Sequence, residues 1–182
     1  PPILPANFQN YAVGKQPEYT WSEGLIKFLE AMRQELFLLL LEDYFISELV
    51  KVNRIRQLYI WMKKNPKVVK IDLTDDRLKV DHRKHGENMV ISAHDAPFQT
   101  SLQAAIWRKD FMLRFLHPSE NPWQFEKKGT KRVIAAREVD FDGIILGCQD
   151  PPLEYVNAVG GEGNRPGEYD INKIPEWMRS YL

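Results

Sequence analysis

A single cysteine, Cys148, stands in the 182 residues. It excludes an internal disulfide framework and any CxxC metal knot, and it agrees with a reducing compartment, expected to be the cytoplasm. Net charge is also lacking. The chain carries 25 basic and 25 acidic side chains, and no long block of one sign dominates, which argues against nucleic acid as the main partner. Long apolar runs are missing as well. The longest falls far short of the roughly 20 residues that cross a bilayer, so no transmembrane segment is expected. The opening stretch PPILPANFQNYAVGKQP has no basic region followed by an apolar core, hence no signal-peptide pattern. It begins without methionine, as a processed chain or a fragment would. Two catalytic signatures are absent. No G-x-S-x-G nucleophile elbow occurs, and GGEGNRPG at 160–167 does not lead from a strand into a helix as a dinucleotide fingerprint must.

What is present describes a globular chain, 43% apolar and 12% aromatic, read as one domain over 1–182 with an irregular segment at 1–20 and a loop and short helix at 160–182. Its most informative stretch is Leu36–Phe45, LFLLLLEDYF, in which six apolar residues run into Glu42 and Asp43. A run of this kind predicts a strand, Leu36–Leu41, buried on both faces in a parallel sheet. Ligands of such sheets bind at the carboxyl ends of the strands, where these acids stand. Around it, Trp21–Arg33 has helical spacing with Ser22 as N-cap, and Val52–Lys64 has Ile55, Leu58, Tyr59 and Met62 on one helical face. Val68–Leu73 follows as a strand. The order helix, strand, helix, strand predicts an α/β fold with a mainly parallel central sheet flanked by helices. Further along, strands are expected near Leu78–Val80, at Met89–Ala93, Thr100–Ile106, Val133–Val139, Gly143–Gly147 and Leu153–Val159. Arg108–Leu116 is expected as a helix, Pro118–Glu126 as a loop, and Ile174–Tyr181 as a last helix with Pro175 in its first turn.

Two stretches carry a family resemblance. TWSEGLIKFLEAMRQELFLLLLEDYF resembles the part of A-type glycosyltransferases where a loop and helix lead into the strand bearing the metal-binding acidic motif. SLQAAIWRKDFMLRFLHPSENPWQFE is similar to the acceptor-side segment of a bacterial and viral family-2-like group. The resemblance spans roughly residues 20 to 160. It implies an enzyme that transfers a hexose from a nucleotide sugar to a glycan or lipid-linked hydroxyl acceptor, with Mn²⁺ or Mg²⁺. Its alternative is a non-catalytic structural or interaction protein that retains such a fold. Two departures stand out. Little patterned sequence precedes Trp21, so the strand–helix–strand unit that would cradle the nucleotide base is expected to be missing. The acids read Glu42-Asp43-Tyr44 rather than Asp-x-Asp.

Hard oxygen ligands at a strand tip suit a divalent cation, whose charge would offset that of a leaving nucleotide. Glu42 and Asp43 are therefore the metal candidates, Asp43 as the direct contact and also catalytic; a helix cap with a salt bridge is the plain structural reading. By the resemblance, Glu126 falls nearest the base that would deprotonate an acceptor hydroxyl, and Glu120 is a weaker choice. Trp123 is the better aromatic to stack on a sugar, Trp107 the better core residue. By the same resemblance, Trp21 and Ser22 sit where the donor would approach. Gln103 is polar within an apolar stretch and needs a partner, a ligand hydroxyl or a backbone group. Asp72, Asp75 and Asp76 make a second acidic cluster, read as a solvated turn and as the rival cation site of a hydrolase. His82, His85 and the pair His94-Asp95 lack a third ligand, and Cys148 lacks an activating partner.

Overall fold

A computed structural model describes residues 19–41, 44–86, 88–157 and 170–179. The first helix, α1 (Trp21–Ala31), starts from Thr20 rather than from Ser22. The Thr20 hydroxyl accepts from the Glu23 N–H and the Glu23 carboxylate accepts from the Thr20 N–H, which closes a capping box. Ser22 is buried instead, its Oγ donating to the Glu120 carbonyl at 2.6 Å. Strands β1 (Leu36–Leu39) and β2 (Tyr44–Ile46) follow, then helix α2 (Val52–Lys64) and strand β3 (Val68–Asp72). A 3₁₀ turn over Asp75–Lys79 replaces the strand expected near Leu78, because Asp75 and Asp76 both fold back onto Lys79. The hairpin β4 (His82–Lys84) and β5 (Met89–Ser92) leads through a long loop to β6 (Ala105–Arg108) and helix α3 (Lys109–Phe115).

The rest differs from the sequence pattern in one large respect. Pro122–Gln124 (α4), a π-helical segment Phe125–Gly129 and Thr130–Arg137 (α5) form a continuous run of helix. The sequence pattern predicts a loop over Pro118–Glu126 and no helix here; the run starts at Pro122 because Asn121 caps it, trading hydrogen bonds with Gln124. The strand expected over Val133–Val139 is therefore mostly helix. Short apolar runs fit either period, and Val133 buries itself as one contact of a helical face. Strands β7 (Ile144–Cys148) and β8 (Tyr155–Asn157) and the short helix α6 (Glu176–Arg179) complete the order. No helix among the described residues is long and apolar enough to cross a membrane.

The fold is α/β, a six-stranded mixed sheet flanked by helices, in the order β1-β6-β3-β7-β5-β4, with a separate β2-β8 pair. The expectation of a mainly parallel sheet is corrected here. Among the described residues only β3 and β7 pair in parallel; β6 inserts between β1 and β3 and runs against both, and β5 runs against β7. A strand that enters from a long loop rather than a helical crossover is free to run antiparallel. Likewise β1 is not buried on both faces. It lies at the edge of the described sheet, and Leu38 and Leu40 remain 42% and 37% exposed.

Alternation sorts the sheet's side chains onto two cores. Trp107, Phe111, Phe115, Phe125 and Ile145 gather on the α1, α3 and α5 side. Leu58, Met62, Ile71, Ile106 and Leu146 gather under α2. One irregularity in the sheet decides where the charged residues of β3 point. The pairing of β3 with β7 shifts between Val68 and Lys70, and Lys70 then stands opposite Trp107 on β6. A bulge re-aims the residues after it, so Lys70 and Asp72 both face the Trp107 side. Gly147, opposite Asp72 on β7, leaves the space that the Arg77 stem crosses. A Cβ at Gly147 would lie 2.4 Å from the Arg77 Cβ. The substitution Gly147→Ala is expected to displace Arg77 and to destabilise the fold by about 1–3 kcal/mol, the usual range for overpacking. Chemical denaturation measures it, and an unchanged midpoint would show that Arg77 does not depend on this gap.

Candidate functional site

Strands β1, β3 and β7 all run the same way. Their carboxyl ends therefore share one side of the sheet, and the main cleft opens there. It is about 620 Å³, walled by Thr74, Asp75, Asp76 and Lys79 after β3, by Gln149 after β7, and by Glu154, Tyr155 and Asn157 of the β8 region. Gln103, two residues before β6, lies between this cleft and an adjoining cavity of about 340 Å³ lined by Asp72, Arg77, Ser101 and Glu126. Asp76 and Lys79 also line both spaces, so the two form one continuous depression.

Under the smaller cavity lies a buried ion cluster. Asp72 Oδ2 accepts from Arg77 Nε at 2.6 Å, and Asp72 Oδ1 pairs with Lys70 Nζ at 2.7 Å. All three side chains are at most 2% exposed. Burial drives the Lys70 ammonium down to about 8 in spite of Asp72 beside it, and the Arg77 charge pushes the same way. Burial also opposes ionisation of Asp72, but the two cations outweigh it and hold that carboxyl below its ordinary range. The cations reach outward as well. Lys70 Nζ donates to the Ser101 carbonyl at 2.7 Å, and Arg77 Nη2 to the Phe98 carbonyl at 2.9 Å, where Phe98 has a left-handed φ of 58°. The loop running from Ser92 to β6 is thus tied to the cluster at two carbonyls.

The same loop is tied to the π segment. Such a segment leaves carbonyls outside the regular helical pattern, and π segments recur at functional sites. Here hydroxyls take them up. Thr100 Oγ1 donates to the Phe125 carbonyl at 3.0 Å, and Thr130 Oγ1 donates to the Glu126 carbonyl at 2.6 Å. Gly129 permits the approach, since a Cβ there would stand 2.8 Å from Thr100 Oγ1. The widened turn carries Glu126, whose Oε1 accepts from the Leu102 N–H at 2.7 Å. One residue further on, Gln103 has a side-chain oxygen shielded from solvent and without a protein partner among the described residues. A carboxylate residue and an amide residue therefore line one cavity, residue types suited to gripping a ligand hydroxyl and taking its proton.

Other sequence candidates fare differently. Glu42 and Asp43 lie outside the described residues, as does the glycine-rich 160–167 stretch. Tyr44, the next residue after Asp43, pairs with Asn157 on the cleft wall. Glu120 is buried and gripped by both terminal nitrogens of Arg132 at 2.8 and 2.6 Å, so it is a structural acid. Trp21 packs on Phe125 with ring centroids 6.1 Å apart, and Trp107 is fully buried. Trp123 is 67% exposed at the start of α4. The solvated-turn reading holds for Asp75 but not for Asp72, whose carboxylate is consumed by Lys70 and Arg77. His82, His94 and Asp95 stand exposed, and among the described residues no group of three or more His, Cys, Asp or Glu could hold a metal ion. The Cys148 thiol is pushed up to about 12, mainly by burial. Lys70 and Arg77 do not stand out in the sequence pattern. The available signal is a lysine two residues from an aspartate within the apolar strand VVKID, a spacing that puts both on one face.

No protein-family model, characterised protein or solved structure matches the chain.

The lysine gives a sign to the pH dependence. Its folded value, about 8, lies below its ordinary 10.5, so between those values the unfolded chain binds more protons. Stability then rises with pH across that window, by roughly 3 kcal/mol from this group. Comparison of denaturation midpoints for the native protein and Lys70→Met from pH 7 to about 10.5 tests this. The native protein should gain on the variant as pH rises, and parallel curves would rule the linkage out.

Proposed function

We propose that this chain is a nucleotide-sugar-dependent glycosyltransferase of A-type character that moves a hexose onto a hydroxyl of a glycan or lipid-linked acceptor. One observation supports the reading: Glu126 and Gln103 both line the cavity beside the main cleft, at the end of the sheet where β1, β3 and β7 finish. In this proposal the Gln103 amide, which turns toward the cavity as the acceptor enters, hydrogen-bonds an acceptor hydroxyl. Glu126 removes the proton of the hydroxyl that attacks. Its Oε1 is already held by Leu102 N–H, which leaves the other carboxylate oxygen to take up that proton. The ion cluster below keeps the Ser101–Gln103 loop at a fixed distance from Glu126 through the Lys70 contact to Ser101.

The donor is assigned to the larger cleft. Glu42 and Asp43 are the proposed ligands of Mn²⁺ or Mg²⁺, which would neutralise charge on a leaving nucleoside diphosphate. Of the described residues that follow them in sequence, Tyr44 pairs with the cleft residue Asn157, and Ser47 lines the cleft. Trp123, exposed ahead of the π segment, is the proposed platform for the outer part of an acceptor sugar. Trp21 and Ser22 take no direct part in this proposal, since both are engaged in packing and backbone contacts.

A panel of nucleotide sugars, screened by thermal shift with and without Mn²⁺, identifies the donor through the rise in melting temperature that ligand binding brings. With that donor, Glu126→Gln is expected to lower transfer by about 10²- to 10⁴-fold, the usual worth of a general base, while leaving the thermal shift intact. Asp43→Asn is expected to remove both the metal-dependent shift and turnover in a folded protein. A panel without any shift would favour a non-catalytic interaction protein, and full transfer by Glu126→Gln would remove that residue from the chemistry.

A further inference from the structure

The loop between Ser92 and β6 buries most of what it carries. The Gln99 amide nitrogen donates back into the loop, to the Ala93 and Ala96 carbonyls at 2.9 Å each. Ala96, Gln99, Thr100 and Ser101 are all buried. Phe98 is the exception. It is 49% exposed, and it lines the cavity of about 340 Å³ that Gln103 and Glu126 also line. Among the described residues it is the one residue other than glycine with a positive φ, 58°. A bulky aromatic residue rarely takes that conformation, which persists only where the surroundings impose it. Here two hydrogen bonds to the Phe98 carbonyl do so, from Arg77 Nη2 at 2.9 Å and from the Ser101 N–H at 3.1 Å. A glycine would fill this backbone position without strain, and a phenyl ring half in solvent adds little to the core. Residues held in this way recur at ligand clamps.

We propose that Phe98 is the stacking face of a site for an uncharged sugar ring, a pyranose. The C–H face of the ring lies on the phenyl group, and its hydroxyls meet Asp76, Gln103 and Glu126, which line the same cavity. The charges of the lining favour a neutral ring over an acidic one. Both cations that line the cavity are engaged, Arg77 by Asp72 at 2.6 Å and Lys79 by Asp75 and Asp76 at 3.1 and 3.0 Å. The Glu126 carboxylate repels a second negative charge brought beside it. The volume lies at the small end of the range for ligand sites, which suits a single unit of a glycan. In naming that unit the acceptor, the inference rests on the transferase reading; the binding itself does not.

Titration of isotope-labelled protein with methyl β-galactoside, methyl β-glucoside and methyl β-glucuronide, followed by aromatic and amide resonances, tests it. At least one neutral glycoside should shift the Phe98 ring and the Leu102 amide, whose N–H Glu126 accepts. Phe98→Ala should weaken that response about tenfold, the worth of one aromatic contact, and Phe98→Tyr should keep it. Phe98→Asn, whose backbone enters the left-handed region more readily, should fold as the native protein does and bind no better than Phe98→Ala. No shift with either neutral glycoside, an equal or stronger response to the glucuronide, or full binding by both Phe98→Ala and Phe98→Asn would each overturn the assignment. A neutral ring bound by a protein that transfers from no donor would sink the transferase reading alone.

Discussion

The ion cluster of Lys70, Asp72 and Arg77 is the constraint around which the proposed site is arranged. Three ionised groups in an apolar interior are costly unless each is paired. The cost is met by geometry that several distant segments must supply together. A bulge in β3 turns Lys70 toward Asp72, Gly147 on β7 leaves room for Arg77, and the Phe98 and Ser101 carbonyls and the Ser92 hydroxyl accept further hydrogen bonds from the two cations. Each of these segments contributes something the cleft needs. The buried charges therefore do more than hold the sheet: they set the position of the loop that carries Gln103.

The π segment answers the same loop from the other side. Thr100 bonds both the Phe125 and Glu126 carbonyls, Thr130 bonds the Thr100 N–H, and Glu126 bonds the Leu102 N–H. In the proposed reaction this bond would hold Glu126 by one oxygen and leave the other for the ligand. The loop between Ser92 and β6 has no regular structure of its own, yet Gln99, Thr100 and Ser101 are all buried. Its order comes from polar contacts to β3, the 3₁₀ turn and the π segment, and this explains why the apolar strand that begins at Thr100 in the sequence pattern begins only at Ala105 in the fold.

Much of the chain's local structure is legible in the sequence because local signals decide it. The helices at Trp21 and Val52, the strands at Val68, Met89 and Ile144, and the burial of Trp107 follow from periodicity and punctuation over a few residues. Gln103 and Glu126 are candidates on other grounds, the one as a polar residue in an apolar stretch, the other through resemblance. Direction of pairing is not local, and β6 could run antiparallel between β1 and β3 only because the fold chose that slot for it. Nor could the run at Leu36 reveal that it would form an edge of the described sheet. The capping acid Glu23, the structural acid Glu120 and the buried acid Asp72 carry the same charge in sequence. Their different roles were decided by which cation or backbone N–H the tertiary structure brought within hydrogen-bond reach.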